Sequence, residues 1–373
     1  MCFSIPAQVT VTQIAILGTV GLPARYGGFE TLADELVRAA SMRAQSHCLT
    51  VWCSAPQAGA NRLDKFQGAR LRYLPLRANG AQSIPYDALS LWQAARSGHA
   101  TALLLGVSGA SALPLIRATS RMRIITHLDG LEWRRPKWGR VARRILERSE
   151  AMAVRWSHAV IADNPEIAAH VRARYGVEAV QIAYGHERAQ AVPPADICDL
   201  ALPPSYALAL ARAEPENNLE TILAAFATLP PRPPLVMIAN WQATPHGRAL
   251  RARYGDHPHI RLLDAEYDAG RLHAIRARAT LYIHGHSAGG TNPSLVEMMG
   301  FGLPVAAWDC GFNRATTDNA AAYFDSPDAL RALIPVLSDP RLAHGMGAEM
   351  RAIARRRYRW ADVTAAYFDL LGL

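Results

Sequence analysis

The chain has 373 residues, half of them apolar and 19% charged, which excludes a disordered chain, a coiled coil and a collagen-like repeat. Its length predicts two domains, each with enough apolar material for a core. The net charge of +9 is uneven, since residues 1–186 carry 22 basic and 12 acidic side chains whereas residues 187–373 carry 18 and 19. The basic first half favours an anionic partner: a phospholipid surface, a nucleic acid or a phosphorylated substrate.

Cysteine usage and the apolar segments predict an intracellular protein. The five cysteines are scattered without a CxxC pair, which is typical neither of a disulfide framework nor of a zinc site. Thr10, Thr12 and Gln13 interrupt the N-terminal apolar run, so we expect no signal peptide. The run 101–116 is too short and too broken by glycine and proline for a spanning helix. We therefore expect a cytoplasmic protein that contacts a membrane only at its surface.

The first half alternates short apolar runs with helical patterns. A helix is predicted over 29–40, where Phe29, Leu32, Leu36 and Val37 recur at helical spacing. Strands are predicted at 13–19, 49–54, 102–107, 123–128 and 159–163. Buried strands separated by helices indicate a parallel sheet that is covered on both faces.

After a proline-rich break near 186–204, a second α/β pattern begins. Helices are predicted over 217–228 and 340–371, the latter with Trp360, Tyr367 and Leu371 as docking residues. Strands are predicted at 206–212, 234–240, 260–264, 280–286 and 304–309. Two Rossmann-like halves follow from this pattern, and ligands in such folds bind beyond the carboxyl ends of the strands.

A glycine-rich loop, GTVGLPARYGGFE (18–30), follows the first strand and enters a helix. Its backbone N–H groups could hold a phosphate, although a loop that merely turns the chain is an equal alternative. The glycine spacing is not GxGxxG, and no acidic residue ends the second strand, so a nicotinamide site is disfavoured.

The segment 284–305 carries a second constellation. Gly290 allows close backbone approach, and Thr291 or Asn292 can cap a helix that begins at Pro293. Glu297 lies one turn further, where its carboxylate could accept both hydroxyls of a ribose or act as a capping carboxylate. His284 and His286 share one face of the strand end. They are interpreted as walls of a site or structural histidines more readily than as metal ligands.

Two basic features remain. Arg212 ends the first strand of the second half, where it could clamp a phosphate or lie on the surface. The segment 126–156 has His127 and Asp129 at a strand end, followed by clustered arginines with Trp133 and Trp138 between them. Such a pattern suits an anionic membrane surface, a nucleic acid or a solvated helix face.

Together these segments resemble the retaining glycosyltransferases of family 4, which have the GT-B fold, and more closely the branch with a rhamnosyltransferase-type N-terminal domain. The resemblance covers nearly the whole chain. It is carried by GTVGLPARYGGFETLADEL, DGLEWRRPKW, ARAEPENN, NWQATPHGRAL, HGHSAGGTNPSLVEMMGFGLPVAAWD and YRWADVTAAYFDLL. It implies two Rossmann-like domains facing across a cleft: an acceptor-side domain over 1–190, a nucleotide-sugar domain over 191–355, and a helix over 356–373 that packs back on the first domain.

The resemblance also implies roles for individual residues. His127 would lie near the reacting sugar, Arg212 at the diphosphate and Glu297 at the ribose diol, as the catalytic set. The remaining donor-site residues would be Gly27, Gly28, Asn217, Gly290, Thr291 and Asn292. The acceptor side would include Glu30, Asp129 and Trp133.

Four positions depart from the family pattern. Gly289 stands where family 4 usually has a glutamate, and Asn217 stands where it has a phosphate-binding lysine; both fit the branch. Ala211 replaces a glycine, and Ala315 follows Asn313 and Arg314 where the branch tends to have glutamate.

The resemblance implies a transfer of a sugar with retention of configuration, without a metal or a cofactor. The donor would be a nucleotide-sugar, and the acceptor a saccharide or a polyprenyl-diphosphate-linked saccharide. The reaction would belong to surface polysaccharide synthesis at the inner face of the cytoplasmic membrane. A rhamnosyl donor is favoured by the branch alone, and other sugar nucleotides stay open. Two alternatives are a non-catalytic sugar-nucleotide-binding protein on the same fold and a nucleic-acid-binding protein; we expect no nucleic-acid partner. No carboxylate pair at a recognisable spacing suggests double displacement, which favours front-face attack.

Overall fold

A computed structural model describes residues 12–24, 27–60, 62–134, 139–228 and 233–373. The strands of the first half are β1 (Ile14–Leu17), β2 (Leu49–Ser54), β3 (Lys65–Phe66), β4 (Ala69–Leu74), β5 (Thr101–Leu105), β6 (Arg123–His127), β7 (Ala159–Ala162) and β8 (Val180–Gln181). Its α-helices are α1 (Gly28–Met42), α2 (Ala55–Ala58), α3 (Ser83–Arg96), α4 (Leu113–Thr119), α5 (Arg140–Trp156) and α6 (Pro165–Tyr175).

Across the described residues, these strands form one sheet in the order β3-β4-β2-β1-β5-β6-β7-β8. β3 and β4 pair antiparallel, whereas the strands from β4 to β7 pair in parallel. Every residue of β1, β2 and β5 is buried, as expected for apolar strands covered on both faces.

The second half repeats the architecture. Its strands are β9 (Tyr206–Leu210), β10 (Leu235–Ile238), β11 (Ile260–Leu263), β12 (Ala279–His284), β13 (Val305–Trp308) and β14 (Ala322–Phe324). Its helices are α7 (Leu219–Ala227), α8 (Pro245–Tyr254), α9 (Ala269–Ala277), α10 (Pro293–Phe301), α11 (Gly311–Thr316), α12 (Pro327–Leu337), α13 (Pro340–Arg357) and α14 (Trp360–Leu371).

The second sheet is parallel throughout, with the order β11-β10-β9-β12-β13-β14. Side chains from β9, β10 and β12 form a core with α7, and Trp241, Phe226 and Phe324 are its largest fully buried members. β9 and β12 are neighbours, so the loops that follow them leave the same edge of the sheet. The predicted α/β fold with two Rossmann-like parallel sheets is confirmed.

Contacts divide the chain into two compact units. One contains the described residues up to Leu128 together with Arg148–Ile161 and Thr364–Leu373; the other contains Asp129–Glu147 and Ala162–Val363. The domain boundaries expected from the sequence stay a prediction.

The C-terminal helix and the strands β3, β4, β8 and β14 differ from the sequence prediction. The predicted helical stretch 340–371 is two helices, and the break between them lies at Tyr358 and Arg359, where the Tyr358 carbonyl accepts a hydrogen bond from the N–H of His186 at 2.8 Å. Strand β4 was not predicted, because its arginines give the run ARLRYL a polar character although the strand pairs with both β2 and β3.

Candidate functional site

In the first unit, the side chain of Glu30 shapes the loop that follows β1. Its Oε1 accepts hydrogen bonds from the N–H of Val20 at 2.8 Å and from the hydroxyl of Thr19 at 3.3 Å. Gly27 has a φ of 120°, and a Cβ there would collide with Oε2 of Glu30. Glycine is therefore required at position 27. Glu30, predicted on the acceptor side, is engaged with the loop, whose residues 25 and 26 lie outside the described residues.

His127 ends β6 in the same unit and is buried. Its ring meets the ring of Phe29 edge-on at 5.1 Å and stacks with that of Tyr367 at 6.4 Å between centroids. Burial lowers the pKa of His127 to about 4. At neutral pH the imidazole is therefore uncharged.

In the second unit, Asn217 joins the loops that follow β9 and β12. Its Nδ2 donates to the carbonyl of Arg212 at 2.8 Å, and its Oδ1 lies 2.7 Å from Nδ1 of His286. Asn218 adds a parallel link, because its Nδ2 donates to the carbonyl of Gly285 at 2.8 Å. The amide at position 217 is thus buried and bonded at both ends, and it sets the path of the backbone that carries Arg212.

The side chain of Arg212 is exposed at the end of β9. Within the described residues, no carboxylate, carbonyl or aromatic ring pairs with its guanidinium. An arginine that is free of internal partners at a strand's carboxyl end keeps its full set of donors for a ligand. The phosphate clamp expected from the sequence stays a prediction.

The N-terminus of α10 stands beside that edge, after β12. Oδ1 of Asn292 caps the helix by accepting from the N–H of Ser294 at 3.0 Å. The Thr291 hydroxyl donates to the Asp163 carbonyl at 2.5 Å, and Nδ2 of Asn164 donates to that hydroxyl at 3.3 Å. Thr291 thereby fixes the loop before α10. The first N–H groups of α10 have no partners within the helix, so this end carries the partial positive charge of the helix dipole.

Gly289 and Gly290 both favour glycine, Gly289 through its backbone conformation and Gly290 through its contact with a buried carboxyl. Gly289 has a φ of 117°, and a Cβ on Gly130 would lie 2.7 Å from its Cα. A Cβ on Gly290 would collide with Oδ1 of Asp163. Burial, aided by the charge of Asp129, raises the pKa of Asp163 well above its usual value. The positive φ of Gly289 favours glycine at this position.

Glu297 lies in α10 and forms an ion pair with Arg276 of α9. Nη2 of Arg276 donates to Oε2 of Glu297 at 2.6 Å, and the two side chains are 6% and 14% exposed. No described residue donates to Oε1 of Glu297. The carboxylate predicted to hold a ribose therefore has one oxygen fixed within the protein and one oxygen available.

His284, which ends β12, and His286, which follows it, are both buried. Burial lowers the pKa of His284 to about 3, and its Nδ1 lies 3.3 Å from the hydroxyl of Tyr282. The His284 and His286 rings are 6.2 Å apart. Among the described residues, no group of three or more histidine, cysteine, aspartate or glutamate side chains could hold a metal ion.

A basic surface lies at the start of α5. Trp133 is half-buried, and the guanidinium groups of Arg134 and Arg174 lie 5.0 and 5.6 Å from its ring centroid. Asp129, four residues earlier, is exposed. A cavity of about 550 Å³ is lined by Trp133, Arg134, Arg140, Arg143, Arg144 and Glu147. Trp138 and the rest of 135–138 lie outside the described residues. No helix in the described part of the chain is long and apolar enough to span a membrane.

Sequence reasoning missed Arg276, Asp163 and Asn164. Arg276 reaches Glu297 only through the packing of α9 on α10, and nothing in its local pattern marks it. A stronger signal was available for Asp163 and Asn164, because they directly follow the predicted strand 159–163.

Comparison with known proteins places the fold. A model described as a domain of unknown function, DUF1972, matches residues 11–187, and a search of curated proteins finds no match. The chain is similar to sucrose-phosphate synthase from Thermosynechococcus elongatus, with a TM-score of 0.80 and 16% identity over 96% of this chain and 98% of that one. It is also similar to HepE of Anabaena in complex with UDP (TM-score 0.71, 14% identity, 97% and 100% covered) and to α,α-trehalose 6-phosphate synthase from Burkholderia multivorans (0.70, 13%, 96% and 96%). The fold is therefore that of the GT-B glycosyltransferases.

Proposed function

We propose that the chain is a glycosyltransferase that takes a sugar from a nucleoside diphosphate donor. One observation carries this proposal. The exposed Arg212 follows β9 and the capped N-terminus of α10 follows β12, and these two strands are neighbours in the sheet. Both groups attract the charge of a diphosphate. Structures of the similar protein HepE contain UDP or UDP-glucose, which supports a donor of this class.

In the proposed reaction, the bond from the anomeric carbon to the diphosphate breaks while the acceptor hydroxyl attacks that carbon. Negative charge grows on the leaving phosphate oxygens, and Arg212 and the α10 N–H groups stabilise it. The acceptor proton passes to a donor phosphate oxygen on the face of attack, which retains the configuration. His127 lies near the reacting sugar and, being neutral, does not supply a charge there. The nucleotide-sugar is the co-substrate, and we propose no further cofactor or metal.

The finer parts of the proposal follow from the sequence resemblance. They are a rhamnosyl donor, retention, and a role in surface polysaccharide synthesis. Within the site, we propose that Gly27 and Gly28 approach the diphosphate, that Asn217, Gly290, Thr291 and Asn292 hold the loops around it, and that Glu297 binds the pentose. Glu30, Asp129 and Trp133 belong to the acceptor side.

A thermal-shift panel of UDP, GDP, dTDP and their sugar conjugates tests the donor site. A nucleotide at 100 times its dissociation constant stabilises the folded protein by about 2.7 kcal/mol, which is a measurable rise in melting temperature. We expect one base to stand out, with AMP as a monophosphate control that has little effect. If none of the diphosphates shifts the melting temperature, the donor assignment is wrong. Donor binding without transfer to any acceptor would favour a non-catalytic protein.

We further propose that the start of α5 meets the anionic membrane that carries a polyprenyl-diphosphate-linked acceptor. Arg140, Arg143 and Arg144 face the cavity described above, while Val141 and Ile145 on the same helix are 74% and 46% exposed. Arginines beside exposed apolar side chains are typical of helices that lie in a lipid interface. The proposed location is therefore cytoplasmic and peripheral to the membrane.

Charge reversal tests this surface. Each arginine near an anionic bilayer contributes about 1 kcal/mol, so the change of Arg143 and Arg144 to glutamate should weaken vesicle binding by at least tenfold. The measurement is co-sedimentation with phosphatidylglycerol vesicles at low and high salt. The matched control reverses Arg341 and Arg355, two exposed arginines of α13, and should bind like the unmodified chain. Equal binding by both variants would remove the membrane role of α5.

A further inference from the structure

The peptide group between Arg212 and Ala213 is held on both sides by side-chain amides. Its carbonyl accepts a hydrogen bond from Nδ2 of Asn217 at 2.8 Å, and its N–H donates to Oδ1 of Asn240 at 2.8 Å. Asn217 belongs to the loop after β9, whereas Asn240 belongs to the loop after β10, the neighbouring strand. Because a peptide group is planar, its orientation sets the backbone rotation at Arg212, and the two amides fix that orientation.

Thr244, in the same loop as Asn240, holds the carbonyl of Ala213. Its hydroxyl donates to that carbonyl at 2.7 Å and caps α8 by accepting from the N–H of Gly247 at 3.0 Å. The first turn of α8 packs directly on this residue, since a Cβ on Gly247 would lie 2.8 Å from the Cβ of Ala213. Because Ala213 is fully buried, both of its polar backbone groups need partners inside the protein, and Asn240 and Thr244 provide them.

The loop that carries Asn240 and Thr244 is itself anchored in the sheet. The buried Trp241 lies between them, and its Nε1 donates to the carbonyl of Leu263 at the end of β11 at 2.7 Å. The exposed side chain of Arg212, by contrast, has no partner among the described residues. Its direction therefore depends on the backbone beneath it, which this loop holds.

Resting on the proposed function, we infer that Asn240 and Thr244 are positioning residues for Arg212. They act through Ala213 and keep the guanidinium in the orientation that meets the donor diphosphate. The strand order β10-β9-β12 places Arg212 between their loop and the N-terminus of α10. Preorganisation of this kind acts on the chemical step, because misplacing a group by about 1 Å costs up to about a hundredfold in rate.

A double-mutant cycle tests the inference, because residues that act through Arg212 lose their effect on transfer once Arg212 is absent. In the otherwise unmodified chain, Asn240→Ala and Thr244→Val should each lower turnover by about tenfold. In the Arg212→Ala chain, the same changes should alter turnover by less than about twofold. Thr244→Ser keeps the hydroxyl and should recover most of the rate. The measurement is steady-state transfer from the donor that the thermal-shift panel identifies, with denaturant unfolding of each variant.

Ser326→Ala is the matched control for the loss of a helix cap. The Ser326 hydroxyl caps α12 by accepting from the N–H of Ala329 at 3.2 Å, as Thr244 caps α8, but α12 follows β14 at the edge of the sheet. Its removal should lower the stability of the fold, as Thr244→Val does, and leave turnover unchanged.

The outcomes separate the inference from the function on which it rests. Equal losses of turnover with and without Arg212 mean that Asn240 and Thr244 only support the fold, and they overturn the inference. Turnover of Asn240→Ala equal to that of Ser326→Ala overturns it as well, and in both cases a slow Arg212→Ala leaves the donor site standing. If Thr244→Val does not fold, Asn240→Ala and Thr244→Ser decide. If Arg212→Ala transfers sugar at the unmodified rate, or the unmodified chain transfers none, the proposed site fails and takes the inference with it.

Discussion

Replacement of Arg212 by alanine should lower the turnover of sugar transfer by about a hundredfold to a thousandfold and leave the fold intact. The loss of one preorganised donor to a developing negative charge typically costs about 3–4 kcal/mol of barrier. Stability should change by no more than about 0.5 kcal/mol, because the side chain is exposed and pairs with nothing in the described residues. A large functional loss without a structural loss is the signature expected of a ligand-binding arginine.

The measurement is steady-state transfer from the nucleotide-sugar identified by the thermal-shift panel, with denaturant unfolding of each variant alongside. Arg331→Ala is the matched control, since Arg331 forms only a local surface pair with Asp328 of the same helix. Arg212→Lys keeps the charge but loses the two-pronged geometry, so it should recover only part of the rate. Turnover of Arg212→Ala equal to that of Arg331→Ala would show that the diphosphate lies elsewhere.

Asn217 fixes the loop that carries Arg212. Its side chain ties the Arg212 carbonyl to His286 through two hydrogen bonds. Asn217 therefore holds the backbone of Arg212 in place. In the proposed site, Arg212 and the N-terminus of α10 supply the positive charge.

The fold was accessible from the sequence because its strands are short apolar runs between helices. Burial on both faces demands such runs, and β1, β2 and β5 show it directly. Strand β4 was not predicted because Arg70 and Arg72 give its sequence a polar character, although its other side chains are buried or partly buried. The break at Tyr358 was not predicted, and the hydrogen bond that its carbonyl accepts comes from His186, far away in the chain.

The site was only partly accessible, for a related reason. Arg212 and the α10 loop could be located because ligands meet parallel sheets at the carboxyl ends of strands. The partner of Glu297 could not, since Arg276 lies 21 positions earlier and meets it only after α9 packs on α10. Likewise, the contact of Asp163 with Gly290 joins segments that are remote in sequence, and no local pattern carries it.

Replacement of Glu297 by alanine should have the largest effect on stability, about 3–5 kcal/mol, because it leaves Arg276 buried without its counter-ion. Chemical denaturation followed by tryptophan fluorescence measures the change. Glu220→Ala is the control: Glu220 also pairs with an arginine, Arg253, but both side chains are more than half exposed, so the loss should stay below about 1 kcal/mol.

A double variant separates the two roles of Glu297. Arg276→Met combined with Glu297→Leu replaces the ion pair by apolar side chains, a change that is often neutral or stabilising. We expect it to recover the stability lost in Glu297→Ala while donor affinity stays low, because the pentose hydroxyl still has no acceptor. If donor affinity returned together with stability, Glu297 would act only by holding α9 against α10. If Glu297→Ala cost no more than Glu220→Ala, the pair would not be the buried interaction that its geometry indicates.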